Sequence, residues 1–207
     1  MHAAGPGIGK HKAKRPAEAL PVITAAINDP STDRLVDAAD LYALRGAIHF
    51  QMGNYEAALK DEKQASGIFR CYTFSGFEAD VLAAMGRHAE AAKKFMEAWN
   101  GMYNIPEYAE KSGVELAKAG NIMEALDRYN LAGYQVTRGD SSERDEEAAT
   151  RMRLAVKQLL EKVTPEQIQE LSEGTSAMAP SFVASIILEQ RILLRKPPAP
   201  IDLSKIF

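Results

Sequence analysis

At 207 residues, with 46% hydrophobic and 26% charged residues and a net charge of −3, the chain has the composition of an ordinary soluble domain or of one solenoid with extensions. Its single cysteine, Cys71, excludes an intramolecular disulfide and a cysteine-based metal site, and fits a reducing compartment. No run approaches the roughly 18 continuous apolar residues of a membrane helix, no secretory apolar segment follows Met1, and neither His2 nor Phe207 fits a lipidation signal. The expectation is therefore a cytoplasmic protein that does not enter a membrane.

Residues 1–15 carry Lys10, Lys12, Lys14 and Arg15 and no acidic residue, a charge of +4 that leaves −7 on the rest of the chain. They read as a disordered, solubilising tail or as a basic arm that touches an acidic partner, a membrane surface or nucleic acid. Gly5-Pro-Gly-Ile-Gly9-Lys10 is not a phosphate-cradling loop, because His11 stands where Ser or Thr is needed and no strand precedes it. Pro16 to Ile27 predicts a helix interrupted or started near Pro21 and stopped at Asp29-Pro30. The spacing of Ala19 and Ala26 matches the second helix of the units that follow, which suggests a half-unit covering the start of an array.

Asp40 to Ala65 holds apolar and small residues at helical spacing, broken at Gly53-Asn54, and predicts two short antiparallel helices. The first helix is expected to begin early, near Thr32 or Asp33. The pattern recurs: Gly53, Gly86 and Gly120 lie 33 and 34 residues apart, each followed five residues later by Ala58, Ala91 or Ala125 and seven after that by Ala65, Ala98 or Ala132. Gly46, Ala79 and Gly113 precede the turn glycines by seven residues. A period near 34 is a mark of helix-turn-helix arrays. Asn54 and Asn121 are placed to cap the second helices of their units, and Trp99, Met102 and Tyr103 to pack between the second and third units.

Beyond the third unit, Arg138-Gly139-Asp140 reads as a helix end followed by a new cap rather than an adhesion tripeptide. Ser141 to Val163 predicts a long charged helix with one apolar stripe, Met152, Val156, Leu159 and Val163. Thr164-Pro165-Glu166-Gln167 is a capping box opening a short helix that stops at Gly174. Ser181 to Arg195 is apolar around more than one stripe, so Phe182, Ile186, Ile187 and Leu193 either pack on the chain's own array or form a docking helix for a partner or second copy. Residues 196–207 follow as an extended, proline-containing tail.

Tyr42, Gly46, Gly53, Tyr55, Ala58 and Ala65 in the first unit, Gly86, Ala91, Phe95 and Ala98 in the second, and Gly113, Gly120, Ala125, Tyr129 and Ala132 in the third resemble the tetratricopeptide repeat pattern over roughly residues 39–139. Departures are Glu62 for the late aromatic, Ser75 for the early large residue and His88 for the aromatic after the turn. The resemblance implies an all-α solenoid of helical hairpins with helical extensions, made of an array at 16–139 and capping helices at 140–195. It also implies a non-catalytic protein that binds another protein's peptide or helix on a concave face.

In the family's register the groove positions are Ala43, Leu44, Ala47 and Phe50, then Phe77, Asp80 and Ala84, then Glu107, Glu110, Lys111, Val114 and Lys118. Some of these side chains, Phe77 and Leu44 above all, can equally be core. Lys111 alone supplies charge at the positions that chaperone-binding members use to clamp a terminal carboxylate, and Glu107 opposes one. The pentatricopeptide RNA binders share the period, but Asp80, Glu107 and Glu110 disfavour phosphate, so nucleic acid is not the expected partner. The four histidines are scattered, and no catalytic, cofactor or metal constellation emerges. Nothing in the residues sets an oligomeric state.

Overall fold

The three helix junctions that set the repeat are closed by glycines in the left-handed region: Gly53, Gly86 and Gly120 have φ of +77°, +75° and +84°. That conformation is strained for any residue with a Cβ. It lets the next amide turn back on the helix just finished: the N–H groups of Asn54, Arg87 and Asn121 donate to the carbonyls of His49, Leu82 and Leu116, each at 2.9 Å. These are three copies of one helix-ending motif, in phase with the sequence period. Asn54 stands at the N-cap position, but its side chain makes no capping bond; its backbone closes the turn instead.

The computed structural model describes residues 15–29, 35–69, 71–101, 105–138, 143–173 and 181–194. The basic arm before Arg15, the tail, Met102, Tyr103 and the Gly139-Asp140 turn lie outside these residues. All regular elements among them are helices. They fall into two units, Met1–Arg128 and Tyr129–Phe207.

In the first unit α1 (Pro16–Ile27), α2 (Leu35–Gln51), α3 (Tyr55–Ile68), α4 (Tyr72–Ala84), α5 (His88–Gly101) and α6 (Pro106–Lys118) each pack on the next element in sequence. The neighbour-on-neighbour order is that of a solenoid. Pro21 lies inside α1, which runs through it without a break. Ala58, Ala65, Ala79, Ala91 and Ala98 are wholly buried, because these small residues sit where two helix backbones meet. Around them Leu59, Val81, Leu82 and Phe95 form one core cluster, and Ala39, Ala43, Ala65 and Phe74 another. Gly101 leaves the space that the Tyr72 ring occupies.

α7 (Ile122–Arg138) begins in the first unit and continues into the second, which holds α8 (Glu143–Leu160), α9 (Pro165–Glu173) and α10 (Phe182–Leu194). The stripe Met152, Val156 and Leu159 is buried, while Val163 falls past the end of α8. The capping box forms as its residues predict: the Thr164 amide donates to Gln167 Oε1 at 3.0 Å and the Gln167 amide to Thr164 Oγ1 at 3.3 Å.

α10 packs inside its own unit. Phe182, Val183, Ile186 and Ile187 are buried, with α8 and α9 as neighbours. On α7, Gly133 makes room for the Phe182 ring, and Asn130 Oδ1 accepts the Val183 amide at 2.7 Å. Arg153 of α8 lies over the Phe182 ring and bonds Glu189 at 2.6 Å. α10 is thus covered by helices of its own chain, and the helices it packs on are α7, α8 and α9. Phe182, Ile186 and Ile187 offer no exposed docking stripe; Leu188 faces solvent instead. The side chain of Leu193 lies outside the described residues.

Replacing Asn130 with Ala removes the acceptor for an amide at the start of α10. It should lower unfolding stability by about 1 kcal/mol, the usual cost of a lost cap. Gly133→Val, which drives a branched side chain into Phe182, should cost more. Urea denaturation of the two variants against wild type checks the order.

Candidate partner-binding face

Two rows of the repeat decide what the first helices present. Leu44, Phe77 and Lys111 occupy equivalent positions on α2, α4 and α6, as do Ala47, Asp80 and Val114. Leu44 is the most open large side chain of the set at 43% exposure. Phe77 is half-buried and meets half-buried Phe50 edge-on at 5.5 Å between ring centres, which joins α4 to α2. Tyr55 also packs on Phe50, at 5.6 Å between ring centres. Between α4 and α6 the joint is ionic: Lys111 Nζ lies 2.9 Å and 3.2 Å from the two Asp80 carboxylate oxygens, 4.0 Å from Glu107 and 5.2 Å from the centre of the Phe95 ring. The face thus runs from an aliphatic and aromatic end to a polar one.

The lysines of the polar end are already held by acids of the chain itself. Burial pushes the Asp80 carboxyl above its ordinary pKa, and Lys111 only partly offsets this. Lys118 bonds Glu115 at 2.7 Å, and the other oxygen of Glu115 takes His88 Nδ1 at 2.7 Å. Both groove cations therefore already hold carboxylates of the chain itself. His88, which stands where the family prefers an aromatic, reaches across to the first helix of the next hairpin.

Several expected groove residues are core. Ala43, Ala47 and Glu110 are buried, whereas Ala84 and Lys118 are exposed and Val114 is half-buried. Ala43 and Glu110 share their repeat position with Gly76, and the ring of Tyr108 lies where a Gly76 side chain would begin, 2.6 Å from that point. That row faces a neighbouring helix, so its members are small or enclosed. Of the two strongest candidates for core, Phe77 is half-buried and packs on the Leu59–Phe95 core cluster, whereas Leu44 is exposed.

Sequence reading missed a polar clasp inside the hairpins. Arg45 on α2 holds Asp61 on α3 through two bonds, 2.7 Å and 2.6 Å, with the Asp61 side chain only 4% exposed. One repeat later Glu78 on α4 and Lys94 on α5 make the same connection at 3.1 Å with the signs exchanged. Burial pulls Lys94 down, but Glu97 and Glu78 outweigh it and hold the ammonium above its ordinary pKa. At the third repeat position Ser112 instead donates to the Ala92 carbonyl at 3.0 Å. The signal was legible in principle: opposite charges sixteen residues apart straddle the turn glycine in both hairpins.

Among the described residues no group of three or more His, Cys, Asp or Glu side chains could hold a metal ion, and no helix is long and apolar enough to cross a membrane. Cys71 is half-buried with Sγ 2.9 Å from Thr73 Oγ1. The fold is an all-α solenoid of tetratricopeptide-like hairpins with helical extensions. Its likeness to solved structures includes MamA AMB-1, at a TM-score of 0.54 and 15% identity, covering 83% of this chain and 90% of that one. At that identity the likeness speaks for the fold alone. No family model and no curated protein matches the sequence.

Arg45→Met strands a buried Asp61 and should cost about 3 kcal/mol, the range seen when one member of a buried pair is removed. Arg45→Met combined with Asp61→Leu should recover most of that loss. Thermal unfolding of both variants measures the difference; equal losses would mean the clasp contributes nothing beyond its packing.

Proposed function

We propose that this chain is a non-catalytic adaptor or assembly subunit that binds a helix or apolar peptide of another protein on the face formed by α2, α4 and α6. The observation that carries the reading is the exposed Leu44 of α2 and the half-buried Phe50–Phe77 ring pair between α2 and α4, with the closed Asp80–Lys111 pair between α4 and α6. An apolar side chain placed over these apolar residues gains buried area at no ionic cost, at roughly 25 cal/mol per Å². A helix presenting such residues every three or four positions meets the face along its length.

The same charges argue against other ligands. A peptide carboxylate or an RNA phosphate needs free cations, and Lys111 would have to leave Asp80 to serve as one. No arrangement among the described residues offers a nucleophile with its base, and we read the chain as a binding module rather than an enzyme. The basic arm and the charged helix faces contribute steering rather than contact specificity.

Affinity capture with nuclease-treated protein, read by mass spectrometry, tests this. Partners bound by wild type should be lost from Phe50→Glu/Phe77→Glu. They should also be weakened at least tenfold by Leu44→Glu, which changes an exposed side chain and leaves the core intact. Partners retained equally by all three proteins would remove this face from the function.

A further inference from the structure

The first hairpin contains one group that none of the preceding roles uses. Glu62 of α3 stands at the repeat position held by Phe95 and Tyr129 in the later hairpins, and like them it points inward. It is wholly buried, and neither carboxylate oxygen has a hydrogen-bond partner. Its Oε1 lies where a side chain on Gly46 of α2 would begin, 2.5 Å from that point, with the Ala58 carbonyl 3.3 Å from the same point. The family's small residue at Gly46 is thus used here to house a carboxyl group rather than to admit an aromatic edge.

The surrounding charges give an anion no relief. On α3 the adjacent Asp61 is committed to Arg45 of α2, and on α4 Glu78 is committed to Lys94 of α5. His49 of α2 is half-buried, and its Nδ1 has no hydrogen-bond partner. Both nearby cations are spent on other acids, so a charged Glu62 would face Asp61 and Glu78 from inside an apolar joint. Burial first, then these two carboxylates, pushes the Glu62 carboxyl up to about 9.

We infer that Glu62 is a built-in proton-dependent latch: it is carried as the neutral acid between α2 and α3, and loss of its proton to solvent releases α2 from the hairpin. The direction follows from linkage. The closed hairpin binds the proton more tightly than the open one, so closure is fully favoured below the ordinary glutamate pKa and is lost as pH rises through the closed-state value. Between those limits the open fraction rises tenfold per pH unit. α2 also carries Leu44 and Phe50, so release would alter the face those residues form.

The test is independent of any partner. In full-length protein, carbon-13 NMR of the glutamate carboxyls follows the Glu62 titration directly, and amide hydrogen exchange follows α2. The Glu62 signal should titrate above pH 7. The opening of α2, corrected for the intrinsic base-catalysed exchange rate, should increase up to 100-fold between pH 6 and pH 8. In Glu62→Gln that increase should vanish, and Glu62→Leu serves the same comparison if the amide is not accommodated. A Glu62 midpoint below pH 6, or the same pH response of α2 in wild type and in the substituted proteins, overturns the inference.

Discussion

Close approach of helix backbones is the constraint on which everything else in this molecule rests. The left-handed glycine at each turn reverses the chain within three residues, so the second helix must run back along the first. Side chains at the crossing then have no room, and the wholly buried alanines of α3, α4 and α5 are the answer. Packing in such joints is as dense as a molecular crystal, so a single added carbon is felt. Once the crossings are set, the 3.6-residue period distributes the remaining positions of each helix over its faces.

Polar substitutions are the chain's departure from a plain apolar array. Arg45–Asp61 and Glu78–Lys94 tie the first two hairpins across their own turns, and His88–Glu115 and Ser112 with the Ala92 carbonyl tie α5 to α6. Each buried acid in these contacts has a partner, as the cost of burying charge demands. Sign exchange between the first two clasps makes them mutually exclusive: Arg45 has no attraction to Lys94, nor Asp61 to Glu78. Such pairs add little net stability over apolar packing, but they penalise slipped or swapped hairpins. Glu62 lacks that satisfaction, and it is the place where hairpin packing and proton concentration meet.

The face proposed for partner binding would owe its selectivity to lysines that are already paired. Lysines that look free in a string of letters are held by Asp80 and Glu115, leaving aromatic and aliphatic surface as the unpaired resource. Desolvation strengthens that outcome, because separating Asp80 from Lys111 would expose each charge to a partly buried setting without its counterion. Affinity on such a face comes from shape and buried area, with charge acting as a filter.

Much of the architecture was written in local terms. Glycines at a fixed period, alanines at fixed offsets and a threonine capping box act through backbone geometry within a few residues, and so the sequence alone determined the hairpins, their phase and the start of α9. It also determined that Phe182 to Leu194 must be covered on more than one side. Contacts between residues far apart in sequence were decided only in three dimensions: Asn130 capping α10, Tyr108 filling the space left by Gly76, and Lys111 turning to Asp80. The same holds for the exposure of Leu44 against the burial of Ala43, which are adjacent residues separated by about 100° around one helix. Periodicity places a side chain on a face. Which face is covered depends on the neighbour that arrives there, and that is a property of the packed structure.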